Sequence, residues 1–344
     1  MRVRQRVDYS DASWANPICI VSNYDELILK SIFTGVEVTM RRILSIDGGG
    51  IRGSLTACIL VGLEEQLGQP CAKVFDMVAG TSTGALIASA IAAGLSAESI
   101  LSIYAGEPCK EIFNVPGIEV WPKRLAEGHA FDSNNIVKVL NTAFGANANW
   151  TLNNCPLRIL LTARSVSGHT WYFVQDRPNN AKSVGEALLV QCAAASAAAP
   201  TYFSPVYVNP AHGKLIGWCF DGGVGDLANP VYQACVEAFV YDDFKPDPAE
   251  TQVISLGTGY YCLNEVNPPG GFIPTLSWTL DSLLSAAGEQ QTEIVNRHYP
   301  GILQRFNWQL PKAIDEADVS AIPDLIQLGK QEAAKMDWKK ILGM

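Results

Sequence analysis

Ile43-Leu44-Ser45-Ile46-Asp47-Gly48-Gly49-Gly50 is the stretch that decides the fold: an apolar run that ends at a cluster of glycines. The run has the length and composition of a buried strand, and the glycines that follow it are typical of a tight turn. From Ser54 to Leu67 the apolar positions recur every three or four residues, which predicts an amphipathic helix that ends at Gly68. A strand, a glycine turn and a helix are therefore expected from about Met40 onward.

The same pattern occurs a second time directly downstream. Val74 to Ala79 is typical of a strand, Gly80-Thr81-Ser82-Thr83-Gly84 of a turn, and Ala85 to Ala93 of a buried, alanine-rich helix. Because parallel strands end at the same edge of a sheet, the two glycine turns should lie side by side at the carboxyl edge.

Strands and helices continue to alternate along the chain. Further strands are predicted at 157–163, 170–174, 215–220 and 253–256, and further helices at 184–195, 231–241, 276–296 and 324–341. Such alternation predicts an α/β fold with a mainly parallel central sheet sandwiched by helices. We expect one domain over residues 40–344, preceded by an N-terminal extension, residues 1–39, that is partly ordered.

The composition excludes several classes of function. A net charge of −9 with scattered basic residues argues against a nucleic-acid partner, and 48% hydrophobic residues indicate a packed core. Nine cysteines without C-x-x-C spacing are interpreted as reduced, buried thiols, and no pattern of metal ligands or cofactor site is present. Without a signal sequence or a long apolar run, a cytoplasmic protein is expected, whose membrane contacts would be peripheral and made by apolar or locally basic patches.

The turn around Ser82 carries the strongest chemical signal. It fits the G-x-S-x-G pattern of a nucleophile elbow and lies between a predicted strand and a predicted helix. Gly80 and Gly84 leave room for the sharp bend that presents the serine hydroxyl. An ordinary glycine-flanked turn remains the alternative for this pentapeptide alone.

The first glycine turn suits an anion. Consecutive backbone N–H groups at Gly48, Gly49 and Gly50 can stabilise an oxyanion or a phosphate, and Arg52 can assist them or form a structural ion pair with Asp47. The same residues also spell G-x-G-x-x-G, the dinucleotide fingerprint. Against a dinucleotide, the nearest suitable acid, Asp76, falls within a predicted strand rather than at its end.

Asp221-Gly222-Gly223 follows a predicted strand and supplies a candidate base. A carboxylate of ordinary pKa is a poor base for a serine hydroxyl, so a Ser82–Asp221 dyad requires burial that raises the pKa of Asp221. The alternative is a triad with a histidine. Of the chain's four histidines, only His298 follows Ser82 and Asp221 in the chain order of an α/β-hydrolase triad.

Together these segments resemble the patatin-like phospholipase family. Its D-G-G-G-x-R-G block is matched by residues 47–53, its G-x-S-x-G elbow by 80–84 and its D-G-G/A block by 221–223. Residues 195–203 are similar to the stretch A-S-x-A-x-P-x-Y-F that lies between the last two blocks. The resemblance implies a patatin-like three-layer architecture, related to the α/β hydrolases, over at least residues 42–223.

The resemblance also implies an activity. Ser82 would act as nucleophile, Asp221 as base, and Gly48, Gly49, Gly50 and Arg52 as the oxyanion hole of a lipid acyl hydrolase that needs no metal. Its substrate would be a membrane phospholipid or another acyl lipid. Some bacterial relatives are activated by a cyclic nucleotide, so a nucleotide activator is one expected partner. For access of lipid, two apolar segments that read as loops are candidates, residues 113–121 and 268–274.

Overall fold

The computed structural model describes residues 40–114, 126–178, 184–225, 227–241, 247–261 and 288–344. The predicted N-terminal extension, the loop candidate 268–274, most of 113–121 and residues 276–287 of a predicted helix lie outside these ranges. The predicted domain limits of 40 and 344 stay a prediction.

A mixed sheet forms the centre of the described residues. Its order is β10-β9-β1-β2-β4-β8-β7, and β5 pairs with β4, while β3 and β6 form a separate pair. The strands are β1 Arg41–Ile46, β2 Met77–Gly80, β3 His129–Phe131, β4 Arg158–Ser165, β5 Thr170–Val174, β6 Thr201–Phe203, β7 Val206–Val208, β8 Gly217–Asp221, β9 Thr251–Leu256 and β10 Leu303–Phe306.

Helices flank this sheet. They are α1 Gly53–Leu67, α2 Cys71–Val74, α3 Thr83–Ala92, α4 Ala97–Ala105, α5 Glu107–Ile112, α6 Ser133–Phe144, α7 Leu189–Ser196, α8 Val231–Val236, α9 Ile322–Ala333 and α10 Trp338–Leu342. Residues 288–298 are also helical. Helix α3 packs on β2 and β4, and α8 packs on β1 and β2. The predicted α/β fold is therefore confirmed.

The central strands are parallel and bring the two glycine turns together. In β1 and β2, Ile46 pairs with Gly80, so both strands end at the same level, and the N–H of Thr81 donates to the carbonyl oxygen of Ile46 at 3.3 Å. On the other side of β1, Ile46 pairs with Leu256 of β9. The expectation that the two turns lie side by side at the carboxyl edge is confirmed.

The far side of the sheet is antiparallel. Strand β4 pairs with β2 as far as Leu161, then continues to Ser165 beyond the carboxyl edge. Strand β4 pairs antiparallel with β5 from Leu160 to Arg164 and with β8 from Ala163 to Ser165, and β8 pairs antiparallel with β7. Asp221 stands at the inner end of β8, opposite Ala163. Two hairpins therefore project past the edge that carries Ser82.

Several element limits differ from the predictions. Residues 74–76 are not a strand: Val74 ends a short helix and β2 begins at Met77. Val74 is buried in this helix and would also be buried in a strand, so hydrophobicity alone does not distinguish helix from strand at this position. Helix α7 begins only at Leu189 rather than at residue 184, and 324–341 is two helices, since the Asp337 side chain caps a new one by accepting from Lys340 N–H.

The described residues share one hydrophobic core that extends from Ile43 to Leu342. The cysteines within them, among them Cys58, Cys192, Cys219 and Cys235, are buried and form no disulfide with one another. None of the helices in the described ranges combines the length and the apolarity that crossing a bilayer requires.

Candidate active site

Ser82 occupies the turn between β2 and α3, with φ 56° and ψ −127°. A positive φ is costly for a residue that carries a Cβ, and strain of this kind usually amounts to about 1–3 kcal/mol. The Ser82 N–H donates to Ser196 Oγ at 3.0 Å, which helps to hold the turn. The side chain stands at the positive end of the α3 dipole, where negative charge is stabilised.

The glycines beside Ser82 are required by close backbone approach. A Cβ on Gly80 would lie 2.1 Å from the carbonyl oxygen of Gly84, and a Cβ on Gly84 would lie 2.2 Å from that of Ile46. Both distances are shorter than atoms tolerate, so a larger residue at either position would push β1, β2 and the start of α3 apart. This crowding explains why glycine stands at both positions.

Asp221 is buried at the end of β8, with 3% of its surface exposed. Burial raises the pKa of the Asp221 carboxyl to about 7, although hydrogen bonds with the Ser82 side chain and the Gly223 N–H lower it. The second of these bonds runs from Gly223 N–H to Asp221 Oδ1 at 2.7 Å. A carboxyl with this pKa is half ionised near neutral pH and basic enough to accept a hydroxyl proton.

Gly222 has a steric role next to this carboxyl. A Cβ at this position would lie 2.1 Å from Thr162 Oγ1 on β4. The Thr162 hydroxyl is in turn hydrogen-bonded to Thr81 Oγ1 at 2.7 Å, in the turn that carries Ser82. Gly222 therefore lets the end of β8 lie close against the nucleophile turn, while Gly223 supplies a donor to the base.

The glycine loop lies against Ser82. A Cβ on Gly48 would be 3.1 Å from Ser82 Cβ. The Gly48 N–H is occupied, because it donates to the carbonyl oxygen of Ala228 at 2.9 Å. The N–H groups of Gly49 and Gly50 have no hydrogen-bond acceptor among the described residues. Of the three predicted donors, Gly49 and Gly50 are thus available to an oxyanion.

Thr83 adds a donor that the sequence analysis did not single out. It is the first residue of α3, and within the described ranges its N–H makes no hydrogen bond, as expected at a helix start. In serine hydrolases the N–H of the residue after the nucleophile commonly belongs to the oxyanion hole. Its position directly after Ser82 was the available signal.

Arg52 braces the glycine loop. Its Nε donates to the carbonyl oxygen of Gly49 at 3.2 Å, and its Nη2 contacts Glu316 Oε1 at 2.9 Å. The side chain is buried with Glu316, whose backbone carbonyl also accepts the N–H of Ile51 at 2.9 Å. The guanidinium therefore holds the glycine loop in place and is already engaged by these contacts.

Asp47 does not pair with Arg52, so the structural alternative considered in the sequence analysis named the wrong partner. Both Asp47 oxygens accept from Arg305 of β10, at 2.9 and 2.5 Å. Arg305 also donates to Ser255 Oγ at 2.9 Å. The start of the glycine loop is thereby tied to the opposite edge of the parallel sheet.

An apolar pocket opens beside Ser82. The space between its lining atoms, together with the open solvent at its mouth, amounts to about 620 Å³. The lining is almost wholly aliphatic and aromatic: Gly50, Ile51, Ser82, Thr83, Leu86, Ile87, Ile100, Ile103, Tyr104, Cys109, Ile112, Phe113, Ile136, Leu140, Ala197 and Phe203. Phe113, the first residue of one predicted lipid-access segment, packs here against Phe131 and Phe203.

Ile103 lines this pocket and also a second groove on the outside of the same helices. That groove lies between α4, α5 and α6 and is lined by residues such as Ser102, Glu111 and Val139. Ile103 is half-buried. Its side chain therefore stands between the apolar pocket and the solvent-facing groove.

His298 lies apart from these groups. It is exposed, and its ring contacts those of Tyr232 and Tyr299. The groups that act on the pKa of Asp221 are Ser82, Gly223 and Glu316, and no histidine is among them. The described ranges also contain no group of three or more His, Cys, Asp or Glu side chains placed to hold a metal ion.

A mixed sheet with a strained serine, a buried aspartate and a glycine loop at one edge is an arrangement typical of serine hydrolases. The sequence model of the patatin-like phospholipase family matches residues 44–234. The chain belongs to this family, whose members are lipid-hydrolysing enzymes.

Individual relatives agree with this family. The chain is 28% identical to a cGAMP-activated phospholipase of Escherichia coli (strain TW11681), over 65% of this chain and 64% of the relative. It is 26% identical to a cGAMP-activated phospholipase of Vibrio cholerae, over 86% of this chain and 90% of the relative. Patatin-17 of Solanum cardiophyllum is 29% identical over 56% of this chain and 51% of its own length.

Among solved structures, VipD from Legionella pneumophila matches 89% of this chain and 67% of its own length. Its TM-score is 0.43 at 13% sequence identity.

Proposed function

We propose that this chain is a lipid acyl hydrolase of the phospholipase A or lysophospholipase type, which cleaves fatty-acyl esters with Ser82 as nucleophile and Asp221 as base. One observation carries the proposal. A strained serine interacts with a buried carboxyl of pKa about 7, next to unpaired N–H groups and an apolar pocket.

In the first half of the reaction, Asp221 takes the hydroxyl proton of Ser82 and the serine oxygen attacks the acyl carbonyl carbon. The carbonyl oxygen becomes an oxyanion, which the N–H groups of Gly49, Gly50 and Thr83 stabilise. Loss of one such donor typically costs about 3–4 kcal/mol of transition-state stabilisation. The protonated Asp221 then gives its proton to the departing alcohol, and an acyl-serine remains.

In the second half, Asp221 takes a proton from water, which attacks the acyl-serine. The tetrahedral intermediate collapses, the fatty acid leaves, and the proton returns to Ser82. The same carboxyl serves both halves because its pKa of about 7 lets it accept and release a proton near neutral pH.

The apolar pocket is the site for the acyl chain. Ser82 and Thr83 are part of its lining, together with aliphatic side chains such as Ile100, Ile136 and Leu140. Burial of each methylene of an acyl chain against such walls contributes about 0.8 kcal/mol, which favours long-chain acyl esters over short-chain or polar esters.

The proposal is tested by kinetics on a soluble fatty-acyl ester and on phospholipid. Ser82→Ala and Asp221→Asn should each lower kcat by at least about a thousandfold, while His298→Ala, the control, should retain the wild-type rate. Circular dichroism of each variant checks that the fold is intact. Activity that survives in Asp221→Asn and disappears in His298→Ala would favour the histidine triad instead. Lipid analysis of membranes treated with wild type or Ser82→Ala would identify the head group.

The contacts of the glycine loop disfavour the dinucleotide alternative. A Cβ at Gly50 would lie 2.3 Å from the carbonyl oxygen of Glu316, so protein already covers that position, and Gly48 N–H is engaged. Asp76 is bound to Arg41 at 2.9 Å and accepts from the Arg42 N–H, so it has a structural role. Saturable binding of a linear dinucleotide that Gly50→Ala abolishes would restore the alternative.

An activating nucleotide is a further part of the proposal. It is supported by the names of the Escherichia coli and Vibrio cholerae relatives, the second of which covers most of both chains. We expect cGAMP or a similar cyclic dinucleotide to increase the hydrolysis rate of wild type and leave Ser82→Ala inactive. An unchanged rate with each of a panel of cyclic dinucleotides would contradict this part and leave the hydrolase proposal intact.

A further inference from the structure

Four large hydrophobic side chains are exposed close together at the end of the two projecting hairpins. Val166, Tyr207, Leu215 and Trp218 are 60%, 42%, 59% and 50% exposed. We call these four residues the hairpin tip. Soluble proteins rarely expose several large apolar groups in one place without a partner for them.

The strand register places the members of the tip together. Tyr207 and Trp218 are directly opposite each other on β7 and β8, and their rings lie 5.1 Å apart. Val166 follows the end of β4, and its N–H donates to the carbonyl oxygen of Trp218 at 3.0 Å. Leu215 lies two residues before β8. Val166, Trp218 and Tyr207 therefore lie side by side across three strands, and Leu215 is in the segment that leads into β8.

The tip lies on the same side of the molecule as the candidate active site. Strand β4 continues for four residues past Leu161, the partner of Gly80. At about 3.3 Å per residue the strand extends roughly 13 Å beyond the edge where the Ser82 turn begins. Trp218 precedes Asp221 by three residues on β8, which corresponds to roughly 10 Å.

The charge of these hairpins differs from that of the whole chain. The chain carries 34 acidic against 25 basic residues, yet residues 157–175 and 187–220 contain no Asp or Glu. Of the basic residues in these segments, Arg158 pairs with Met77 at the opposite end of β4, while Arg164 and Lys214 lie toward the hairpin ends. Lys214 Nζ lies 5.0 Å above the ring of Trp171 on β5. Hairpins that carry Trp, Tyr and aliphatic groups with cations, and no acidic residue of their own, suit the interface of a bilayer with anionic phosphates.

We propose that the hairpin tip is the surface by which the protein docks on a phospholipid bilayer. Tyr207 and Trp218 enter the headgroup region with Val166 and Leu215, and Lys214 contacts lipid phosphate. Docking there brings the membrane within about 10 Å of Asp221 along β8. This inference rests on the proposed lipid hydrolysis, because it names where that reaction meets its substrate.

Binding is measured by co-sedimentation with vesicles of phosphatidylcholine, alone or mixed with phosphatidylglycerol, on protein that carries Ser82→Ala so that the lipid stays intact. Tyr207→Ala/Trp218→Ala should weaken binding to both vesicles about tenfold or more. Lys214→Glu should weaken binding about tenfold only to vesicles with phosphatidylglycerol. Val240→Ala/Tyr241→Ala removes two side chains that are 50% and 45% exposed elsewhere and should bind as the parent does.

Activity assays distinguish a defect in membrane docking from a defect in catalysis. With Ser82 restored, Tyr207→Ala/Trp218→Ala should hydrolyse a soluble monomeric ester at the wild-type rate and lose about tenfold on vesicle phospholipid. Failure of the proposed function looks different, since wild type and Ser82→Ala would then be equally inactive on the soluble ester. Lys214 is an exposed lysine outside the core, so Lys214→Glu tests the idea even if the aromatic double variant is unstable.

Two results would overturn the proposal. One is vesicle binding by the tip variants that equals that of the Val240→Ala/Tyr241→Ala control. The other is a wild-type dimer, seen by analytical ultracentrifugation, that the tip variants lose while vesicle binding is unchanged. The tip would then be a contact between copies of the chain.

Discussion

At the scale of single residues, the protonation of Asp221 governs the proposed chemistry. Because the carboxyl must be ionised to accept the Ser82 proton, kcat/KM on a soluble ester should rise with pH and level off with an apparent pKa of about 7. Glu316 raises this pKa, so Glu316→Gln should move the midpoint of the profile to lower pH. The measurement is a pH–rate profile from about pH 5 to 9 for both proteins. A flat profile would contradict the assignment of Asp221 as base.

The same pKa affects stability. The folded-state pKa of Asp221 is raised above its unfolded value, so the native protein binds the extra proton and loses stability as pH rises through the window from about 4 to about 7. Asp221→Asn removes this titration. The free energy of unfolding of Asp221→Asn relative to wild type should therefore increase across that window, by about 2–4 kcal/mol, in urea titrations at several pH values. Two curves that remain parallel would show that burial does not perturb this group.

At the scale of elements, helices α4, α5 and α6 set the depth of the apolar pocket. Ile103 stands between the pocket and the outer groove, so Ile103→Ala should let a longer acyl chain pass. Each additional buried methylene should increase kcat/KM about fourfold until the chain leaves the groove. The test compares a series of saturated esters, with Ile103→Leu as a control of similar volume. An unchanged chain-length optimum would mean that the acyl chain lies elsewhere.

Local patterns were sufficient to predict the elements that carry the motifs. The turns at Gly48–Gly50 and Ser82 follow strands and precede helices, so their relation to the sheet was readable from sequence. The residues that hold those turns in place could not be predicted from the sequence. Glu316 and Arg305 lie more than 200 residues from the loop that they hold, and nothing in their local sequence indicates the contact. Short strands such as β3 and β7 have only three residues, which is too few for an alternation of apolar and polar residues to be recognised.

At the scale of the whole molecule, the last hundred residues complete the sheet around the motif blocks. Strand β9 pairs with β1 along its full length, and Arg305 of β10 binds Asp47. A fragment of residues 40–241 contains every motif but leaves one edge of buried β1 without partners. This fragment should be insoluble or unfolded by circular dichroism, whereas residues 40–344 should fold. A soluble, active 40–241 fragment would contradict the single domain predicted for 40–344.

The pairing of β1 with β9 also constrains when the candidate site can assemble. During translation the nucleophile turn emerges long before residues 251–256, and at about 5–20 residues per second the delay is of order ten seconds or more. Until β9 has left the ribosome, β1 lacks one of its two neighbouring strands, and Arg305 and Glu316, which hold the glycine loop, emerge later still. The complete site is therefore expected to form only near the end of synthesis.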